Sequence, residues 1–281
     1  MHGSDLDGGS QLDVGSELDV LVPTKDRPGA LAVTLAGLAA QTAGGFRVVV
    51  SDQSARPVAE DPLVAAAVRI LEHRGSPVEP LRNVPPKGLA EQRQFLLDRA
   101  RRRFALYLDD DVWLEPDALA TLTGALAELR CGFVGYALHG LSYREDVRPH
   151  ELAPYEEWIG PVRPERVRRD QPAWRRHTLH NAANPLHLAA KVGADRGWRA
   201  YKVAWIGGCV LYDRERLVEC GGFGFWRSVP RAHAGEDVVA QLRVMERYGG
   251  AGLLPSRAYH LELPTTVVDR RAECYDHVLE A

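Results

Sequence analysis

The sequence lacks several features that would place it outside the ordinary globular proteins. No apolar run approaches the roughly 20 residues that a membrane-spanning helix needs, and no signal-peptide pattern opens the chain. The four cysteines lie far apart and form no C-x-x-C pair, which argues against zinc ribbons and disulfide scaffolds. We therefore expect a cytoplasmic protein with reduced thiols and no transmembrane segment, and peripheral membrane contact stays open.

An excess of charge is also missing. The 35 Lys and Arg residues nearly balance 38 Asp and Glu residues, which leaves a net charge of −3. This balance gives no reason to expect a nucleic-acid partner. No G-x-G-x-x-G run follows the first predicted strand, and its absence disfavours a Rossmann-type dehydrogenase.

The order of apolar and polar segments predicts the fold class. Residues 1–17 are rich in Gly, Ser and Asp, which predicts a disordered acidic tail. Strand-like and helical segments alternate over residues 18–138, and such alternation predicts an α/β fold with a mostly parallel sheet flanked by helices. Residues 139–200 show little periodicity and are predicted to be a mostly irregular excursion, after which regular structure returns over residues 201–281. The predicted strands of the first part are 18–22, 46–51, 78–82, 104–108 and 133–138, and the predicted helices are 28–41, 61–74, 88–102 and 116–129.

The stretch ALYLDDDVWLEPDAL, residues 105–119, places three carboxylates directly after an apolar run. Like charges this close raise one another's pKa unless a positive group lies among them. Residues 104–108 are predicted as a buried strand, so the triplet Asp109–Asp111 falls in the following turn, where open α/β sheets hold ligands. Taken alone, the triplet is equally consistent with a solvated acidic turn.

Four other segments should meet the triplet at the same edge of the sheet. They are VPTKDRP (22–28), SDQS (51–54), AGED (234–237) and His260. Singly, each has a structural explanation as a turn, a helix N-terminus or a packed histidine. Together they predict a site where a divalent cation, Mg²⁺ or Mn²⁺, relieves the carboxylate repulsion and neutralises a diphosphate. An imidazole ligand favours Mn²⁺ somewhat.

The ordered set of motifs resembles family 2 glycosyltransferases, which are inverting enzymes of the GT-A fold that use nucleotide-sugar donors. The motifs are LVPTKDRP, VVVSDQS, YLDDDVWLEPD, GGCVLYDRERLVECGGF, AGEDVVAQLRV and a late YH, between about residues 18 and 263. The resemblance implies one GT-A domain. Its nucleotide-sugar-binding half is Rossmann-like and covers residues 18–138, and its acceptor-binding and catalytic half covers residues 201–281.

The resemblance also implies a role for each matching residue on the donor side. A nucleobase pocket would be bordered by Pro23, Thr24 and Arg27, and Asp52 would accept a hydrogen bond from the imide N–H of the base. The ribose and diphosphate would lie against Asp109 and Asp110. A divalent cation would be held by Asp111, with His260 as a further ligand.

On the acceptor side, the resemblance implies that Asp237 is the catalytic base, with Glu236 beside it in the substrate site. The backbone at Gly207 and Gly208 would approach the donor sugar and the acceptor. Of the two tryptophans near this region, Trp226 is the better candidate for contact with a sugar, because Trp205 lies in a predicted strand.

The sequence departs from the usual family pattern in two places. Lys25 and Asp26 stand where an aromatic residue and Asn are frequent, and GLAEQRQF (88–95) keeps only Gly88 and Arg93 of the usual nucleotide-contacting run. UDP is the expected nucleotide by family habit, with GDP and dTDP open. The acceptor is expected to be a hydroxyl on a glycan, a lipid-linked molecule or a small natural product.

The motifs fit three other kinds of protein less well. A haloacid-dehalogenase phosphatase needs Thr or Val two residues after its second Asp, where this chain has Trp113. A sugar nucleotidyltransferase usually carries a glycine-rich basic loop after its first strand, and PTKDRPGA has a single Gly. A non-catalytic nucleotide-sugar-binding module would have no need for the acid at position 237.

Overall fold

The computed structural model describes residues 14–193, 197–267 and 269–279. Most of the predicted acidic tail lies outside these residues, and Val14–Glu17 form a short 3-10 helix. The strands are β1 (Leu18–Thr24), β2 (Arg47–Asp52), β3 (Val78–Arg82), β4 (Phe104–Leu108), β5 (Val112–Leu114), β6 (Phe133–Gly135), β7 (Arg199–Tyr201), β8 (Cys209–Asp213), β9 (Gly250–Leu254) and β10 (Ala258–His260). The α-helices are α1 (Pro28–Ala39), α2 (Pro62–His73), α3 (Leu89–Leu97), α4 (Ala118–Leu129), α5 (Pro149–Leu152), α6 (Asn184–Val192), α7 (Arg214–Glu219), α8 (Glu236–Tyr248) and α9 (Cys274–Val278).

A single eight-stranded sheet organises the described residues, in the order β3-β2-β1-β4-β8-β6-β9-β7. Strands β3, β2, β1 and β4 pair in parallel, and β8 joins β4 in the opposite direction. Strand β6 is antiparallel to β8 and parallel to β9, and β7 closes the edge antiparallel to β9. The predicted α/β class with a mostly parallel, helix-flanked sheet is therefore confirmed.

The central strands of the sheet are covered by helices on both faces. Every residue of β1, β2 and β4 is buried, as expected for strands that are covered on two sides. Helix α2 shows how a flanking helix is specified. The Asp61 side chain caps its N-terminus, Pro62 occupies the first turn, and Val64, Ala67 and Leu71 form its buried face at helical spacing.

The turn after the acidic triplet differs from the prediction. Helix α4 begins at Ala118, two residues later than predicted, because residues 112–114 form strand β5. This strand pairs antiparallel with β10, and the register places His260 opposite Val112. The pairing brings His260 next to Asp111. No local sequence pattern indicated the short strand β5.

The stretch 139–200 is more structured than the predicted irregular excursion. It contains α5, α6 and a nine-residue 3-10 segment, Pro172–His180. Polar contacts stabilise this stretch, so its sequence lacks the apolar periodicity that would have indicated helices. Arg176 is buried and donates to Glu165 at 2.7 Å and to Glu156 at 3.1 Å.

Among the described residues, no helix has both the length and the apolar character required to cross a bilayer.

A buried ion pair anchors the amino ends of the central strands, on the side of the sheet away from the acidic triplet. The carboxylate of Asp19 is fully buried and accepts hydrogen bonds from the Arg47 guanidinium at 2.9 and 3.0 Å. It also accepts from the backbone N–H groups of Arg101 and Arg102. Burial alone would raise the pKa of Asp19, but these hydrogen bonds lower it overall from 3.8.

We expect Asp19→Ala to lower the free energy of unfolding by about 3–5 kcal/mol, because it leaves Arg47 buried without its main partner. Glu79 is the matched control, since it contacts the same Arg47 from a side chain that is 37% exposed. Glu79→Ala should cost less than about 1 kcal/mol. Urea denaturation measures both values, and equal losses would contradict the assigned role. A lowered pKa in the fold means that the contribution of Asp19 is complete above the unfolded pKa. It disappears as the pH falls through the folded value.

Candidate active site

A cleft at the carboxyl ends of β1 and β4 is lined by many charged side chains. The cleft has a volume of about 400 Å³ and also receives the N-terminus of α8 and the end of β10. The structure brings most of the predicted site residues into its lining, namely Pro23, Thr24, Arg27, Arg93, Asp109, Asp110, Asp111, Gly207, Glu236, Asp237 and His260. Parallel strands that end at one edge explain this convergence of segments that are distant in sequence.

A positive group does lie among the three carboxylates, and it is Arg27. The guanidinium forms ion pairs with Asp110, at 3.2 Å, and with Asp111. Asp110 also accepts a hydrogen bond from the hydroxyl of Thr24 at 2.6 Å. Asp26, the residue before Arg27, stabilises the turn after β1. Its backbone N–H donates to the Ser54 hydroxyl, and its carboxylate accepts from the N–H of Ala55.

The three carboxyl groups differ in their pKa directions. Burial raises the pKa of Asp110 to about 7, against the lowering effects of Thr24 and Arg27. Burial and the neighbouring Asp111 and Glu236 charges also raise the pKa of Asp109, although Arg93 opposes them. For Asp111, burial is outweighed by the contacts of His260 and Arg27, and its pKa is lowered. Asp111 is therefore the member of the triplet that stays ionised most readily.

A second arginine, Arg93, joins the triplet to the start of α8. Its side chain is buried and donates from Nε to Glu236 at 2.8 Å and from Nη2 to Asp109 at 3.1 Å. The guanidinium lies 5.6 Å from the ring centre of Tyr107, whose hydroxyl donates to the backbone carbonyl of Arg93. Arg93 was predicted to contact the nucleotide, but in the structure both of its ionic contacts are to protein carboxylates.

The two acids at the start of α8 have different environments. The Glu236 side chain is only 4% exposed and is committed to Arg93. Asp237 is half-buried and lines the cleft, and its Oδ1 accepts from the N–H of Val238 at 2.9 Å. Within the described part of the chain, Asp237 forms no ion pair. Burial, followed by the charge of Glu236, raises the pKa of Asp237 above its ordinary 3.8, with Arg93 opposing. Such a carboxylate can accept a proton from a group bound in the cleft.

His260 reaches the triplet through the β5–β10 pairing. Its Nε2 lies 3.4 Å from Oδ2 of Asp111, and its Nδ1 accepts a hydrogen bond from the N–H of Glu262 at 3.0 Å. An imidazole nitrogen that accepts carries no proton, so the ring proton is on Nε2, where it faces Asp111. Hydrogen bonding to Asp111 raises the pKa of His260.

Asp111 and His260 are the candidate ligands for a divalent cation. In the described ranges, no three His, Cys, Asp or Glu side chains form a preassembled metal site. The chemistry of Asp111 nevertheless fits a hard cation, because it is an ionised carboxylate in the cleft lining. His260 fits as a second ligand if its proton moves to Nδ1, which breaks the contact with Glu262. A cation at this position competes with Arg27 for the same oxygen of Asp111.

The predicted base-binding residue Asp52 is engaged by protein groups. Its carboxylate is 2% exposed and accepts from the N–H groups of Ser54 and Val58 and from Arg82 at 2.6 Å. These contacts organise the turn after β2, and recognition of a base by Asp52 stays a prediction. The next residue, Gln53, lines a second cavity of about 310 Å³, and its buried side-chain Nε2 has no hydrogen-bond partner among the described residues.

Two of the predicted site glycines, Gly88 and Gly208, lie outside the lining of the main cleft and pack against neighbouring segments of the chain. Gly88 has φ of +108°, and a Cβ there would lie 2.6 Å from the carbonyl oxygen of Arg231 and 2.7 Å from the ring of His233. It lines the second cavity instead of the main cleft. Gly208 has φ of +75°, and its carbonyl accepts from the N–H of Asp109 at 2.9 Å. Gly208 therefore helps to position Asp109.

The structure places the two tryptophans differently from the sequence-based expectation. Trp226 lies outside the cleft lining, beside Lys87 and Arg227. Trp205 lines the cleft, together with His180. The sequence suggested a strand through Trp205, but β8 begins only at Cys209, so Trp205 is in the loop before it. No sequence signal identified His180, because its segment has no periodic pattern.

We expect Arg93→Met to lower the free energy of unfolding by about 3–5 kcal/mol near pH 8, because Glu236 then stays buried without its cation. Burial also raises the pKa of Asp109, and Arg93 opposes this rise, so the pKa of Asp109 should rise further in the variant. A carboxyl whose pKa is raised in the fold destabilises the fold above that pKa and not below it, so the loss should be smaller at about pH 5. Arg99→Met is the control, since Arg99 contacts a backbone carbonyl and the Phe95 ring. Urea denaturation at both pH values measures the effect. An Arg93→Met loss that does not depend on pH would contradict this account.

Comparisons with known proteins bear on the family and the fold. The sequence profile described as Glycosyl transferase family 2 matches residues 19–187, which is more than half of the chain. A comparison with curated proteins finds no match.

Among solved structures, S. aureus TarS 1-349 in complex with UDP-GlcNAc is similar with a TM-score of 0.59 at 16% sequence identity, over 89% of this chain and 60% of that chain. S. aureus TarS is similar with a TM-score of 0.54 at 14% identity, over 87% of this chain and 36% of that chain. This chain therefore spans less than two thirds of the length of either structure. At these identities the likeness shows the fold, which is of the GT-A type that the sequence predicts. By the match of more than half of its residues, the chain belongs to glycosyl transferase family 2.

Proposed function

We propose that the protein transfers a sugar from a nucleoside-diphosphate donor, with UDP favoured, to an acceptor hydroxyl with inversion at the anomeric carbon. One observation carries the proposal. Asp237, a carboxylate with a raised pKa and no ion pair among the described residues, lines the same cleft as Asp109–Asp111. This arrangement offers a proton acceptor opposite a group of residues suited to a diphosphate and its counter-charges.

The nucleoside end of the donor fits the second cavity. This cavity adjoins the main cleft, because Lys25, Leu89 and Gln92 line both. The unpartnered amide of Gln53 is a donor that a carbonyl group of a nucleobase satisfies. Lys25 is exposed between the two cavities and forms no ion pair in the described ranges, so its charge suits the diphosphate.

A divalent cation, Mn²⁺ or Mg²⁺, would be held by Asp111, with His260 as the further ligand. When bound, it supplies positive charge to the diphosphate as the bond to the sugar breaks. Arg27, displaced from Asp111, remains able to pair with Asp110 or with a phosphate oxygen.

The chain's own residues account for the remaining chemistry. Asp237 takes the proton of the acceptor hydroxyl, whose oxygen attacks the anomeric carbon from the face opposite the nucleotide. The bond from that carbon to the diphosphate oxygen breaks, and its electron pair leaves with the nucleoside diphosphate. Glu236 and Arg93 position Asp237 and Asp109 without themselves contacting the reacting atoms. One displacement inverts the anomeric centre and needs no covalent enzyme intermediate.

We expect Asp111→Asn to weaken UDP binding in the presence of Mn²⁺ by about tenfold, or about 1.4 kcal/mol, because an amide is a poor ligand for a hard cation. With a chelator present, UDP binding should be unchanged or tighter, since Arg27 is released from Asp111. Asp117→Asn serves as the control, because Asp117 pairs with Arg257 outside the cleft. Isothermal titration calorimetry measures each affinity, and an unchanged Mn²⁺-dependent affinity in Asp111→Asn would remove the metal assignment.

We expect Asp237→Asn to reduce turnover by about 10²–10⁴, because the general base is lost. Its melting temperature and UDP affinity should change little, since Asn keeps the shape of the side chain. Glu246→Gln is the matched control on the same helix, because Glu246 lies outside the cleft lining and, in the described ranges, pairs with Arg166 and Arg168. Glu236→Gln is unsuitable as a control, since Glu236 holds Arg93.

The pH dependence of the wild-type rate follows from the same residue. Because the pKa of Asp237 is raised, kcat/KM should fall on the acid side well above pH 3.8, the ordinary aspartate value. An Asp237→Asn variant that keeps its turnover would show that the base has been assigned to the wrong group.

A further inference from the structure

A cluster of aromatic rings forms one wall of the cleft. Trp205 is surrounded by three rings from the 3-10 segment Pro172–His180, and we call Trp205 and these rings the aromatic platform. The ring centre of Trp205 lies 4.8 Å from Trp174, 5.6 Å from His177 with nearly parallel planes, and 4.9 Å from His180. Trp205 and His180 line the cleft.

Hydrogen bonds fix the position of Trp205 relative to Asp237. The backbone N–H of Ile206 donates to the side chain of Gln241 at 2.8 Å, and Gln241 donates back to the carbonyl of Ile206 at 2.7 Å. Gln241 is fully buried on α8, the helix that begins with Glu236 and Asp237. These paired bonds fix the loop that carries Trp205 to the helix that carries the proposed base, so the wall of the cleft is rigid relative to Asp237.

His180 adds hydrogen-bonding capacity that the protein does not use. Its Nδ1 is buried and has no hydrogen-bond partner among the described residues. Burial lowers the pKa of His180 to about 4, so the ring is neutral near pH 7 and offers one N–H and one lone pair. The other ring nitrogen, Nε2, is not buried, so it is the group that His180 can offer to a ligand in the cleft.

We propose that the aromatic platform is a subsite for a carbohydrate acceptor. An apolar ring beside a neutral donor and acceptor matches a pyranose, which has one face of C–H groups and hydroxyls at its rim. A sugar on Trp205 places its hydroxyls within the cleft that Asp237 also lines. This inference rests on the proposed function and deepens it, because it selects a glycan among the three acceptor classes. An aliphatic lipid chain could cover Trp205 but would leave His180 without a partner.

The experiment measures binding of a panel of methyl pyranosides by saturation-transfer difference NMR, with UDP and Mn²⁺ present. We expect at least one pyranoside to bind the wild type and to bind Trp205→Leu at least about fivefold more weakly. Trp226→Leu is the matched control, because Trp226 lies outside the cleft, and its pyranoside binding should equal that of the wild type. UDP affinity, measured by calorimetry, should be the same in all three proteins.

Two further variants keep the test decisive if Trp205→Leu fails to fold. His180→Gln retains a hydrogen-bonding side chain, whereas His180→Phe keeps the ring and removes both nitrogens. Pyranoside binding should be stronger in His180→Gln than in His180→Phe, and equal binding would overturn the proposal. Absence of pyranoside binding to a wild type that binds UDP would also overturn it. Failure of the wild type to bind UDP would instead contradict the proposed function itself.

Discussion

The two ion pairs of Arg93 are the interaction on which the rest of the site depends. They connect Asp109, at the carboxyl end of β4, to Glu236, at the start of α8. These residues are far apart in sequence, and the strands alone do not fix the distance between them. Because a buried charge without its partner costs several kcal/mol, α8 is held with its first turn at the cleft. The position of Asp237 follows directly from this constraint.

A second constraint is the balance of charge around Asp111. Three consecutive carboxylates require compensation, and the structure supplies it with Arg27 from the turn after β1. Metal binding, as proposed, is therefore an exchange of one positive charge for another at the same oxygen. Such an exchange weakens the apparent affinity for the cation and couples it to the position of Arg27. A phosphate oxygen that accepts hydrogen bonds from Arg27 would favour its release from Asp111. Binding of the cation and binding of the diphosphate would therefore strengthen each other.

The sequence predicts the sheet and its functional edge well, because both depend on simple alternation. Buried runs followed by polar residues place Thr24 and Asp109 at one edge, whatever the details of packing. The contacts that the sequence did not predict have no local sequence pattern. Nothing near Asp52 indicates that Arg82 occupies its carboxylate, and nothing near Trp205 indicates that the strand begins only at Cys209. The structure of residues 172–180 depends on buried polar pairs such as Arg176 with Glu165, which hydrophobic periodicity cannot detect.

The stereochemistry of donor hydrolysis tests the central claim most directly. With water as the acceptor and Mn²⁺ present, the protein should release the sugar of an α-linked UDP-sugar first as the β-anomer. Proton NMR in the first minutes distinguishes the two anomers before they equilibrate. Release of the β-anomer by the wild type, and its loss in Asp237→Asn, is the predicted result. Release of the α-anomer first would contradict single displacement with Asp237 as the base.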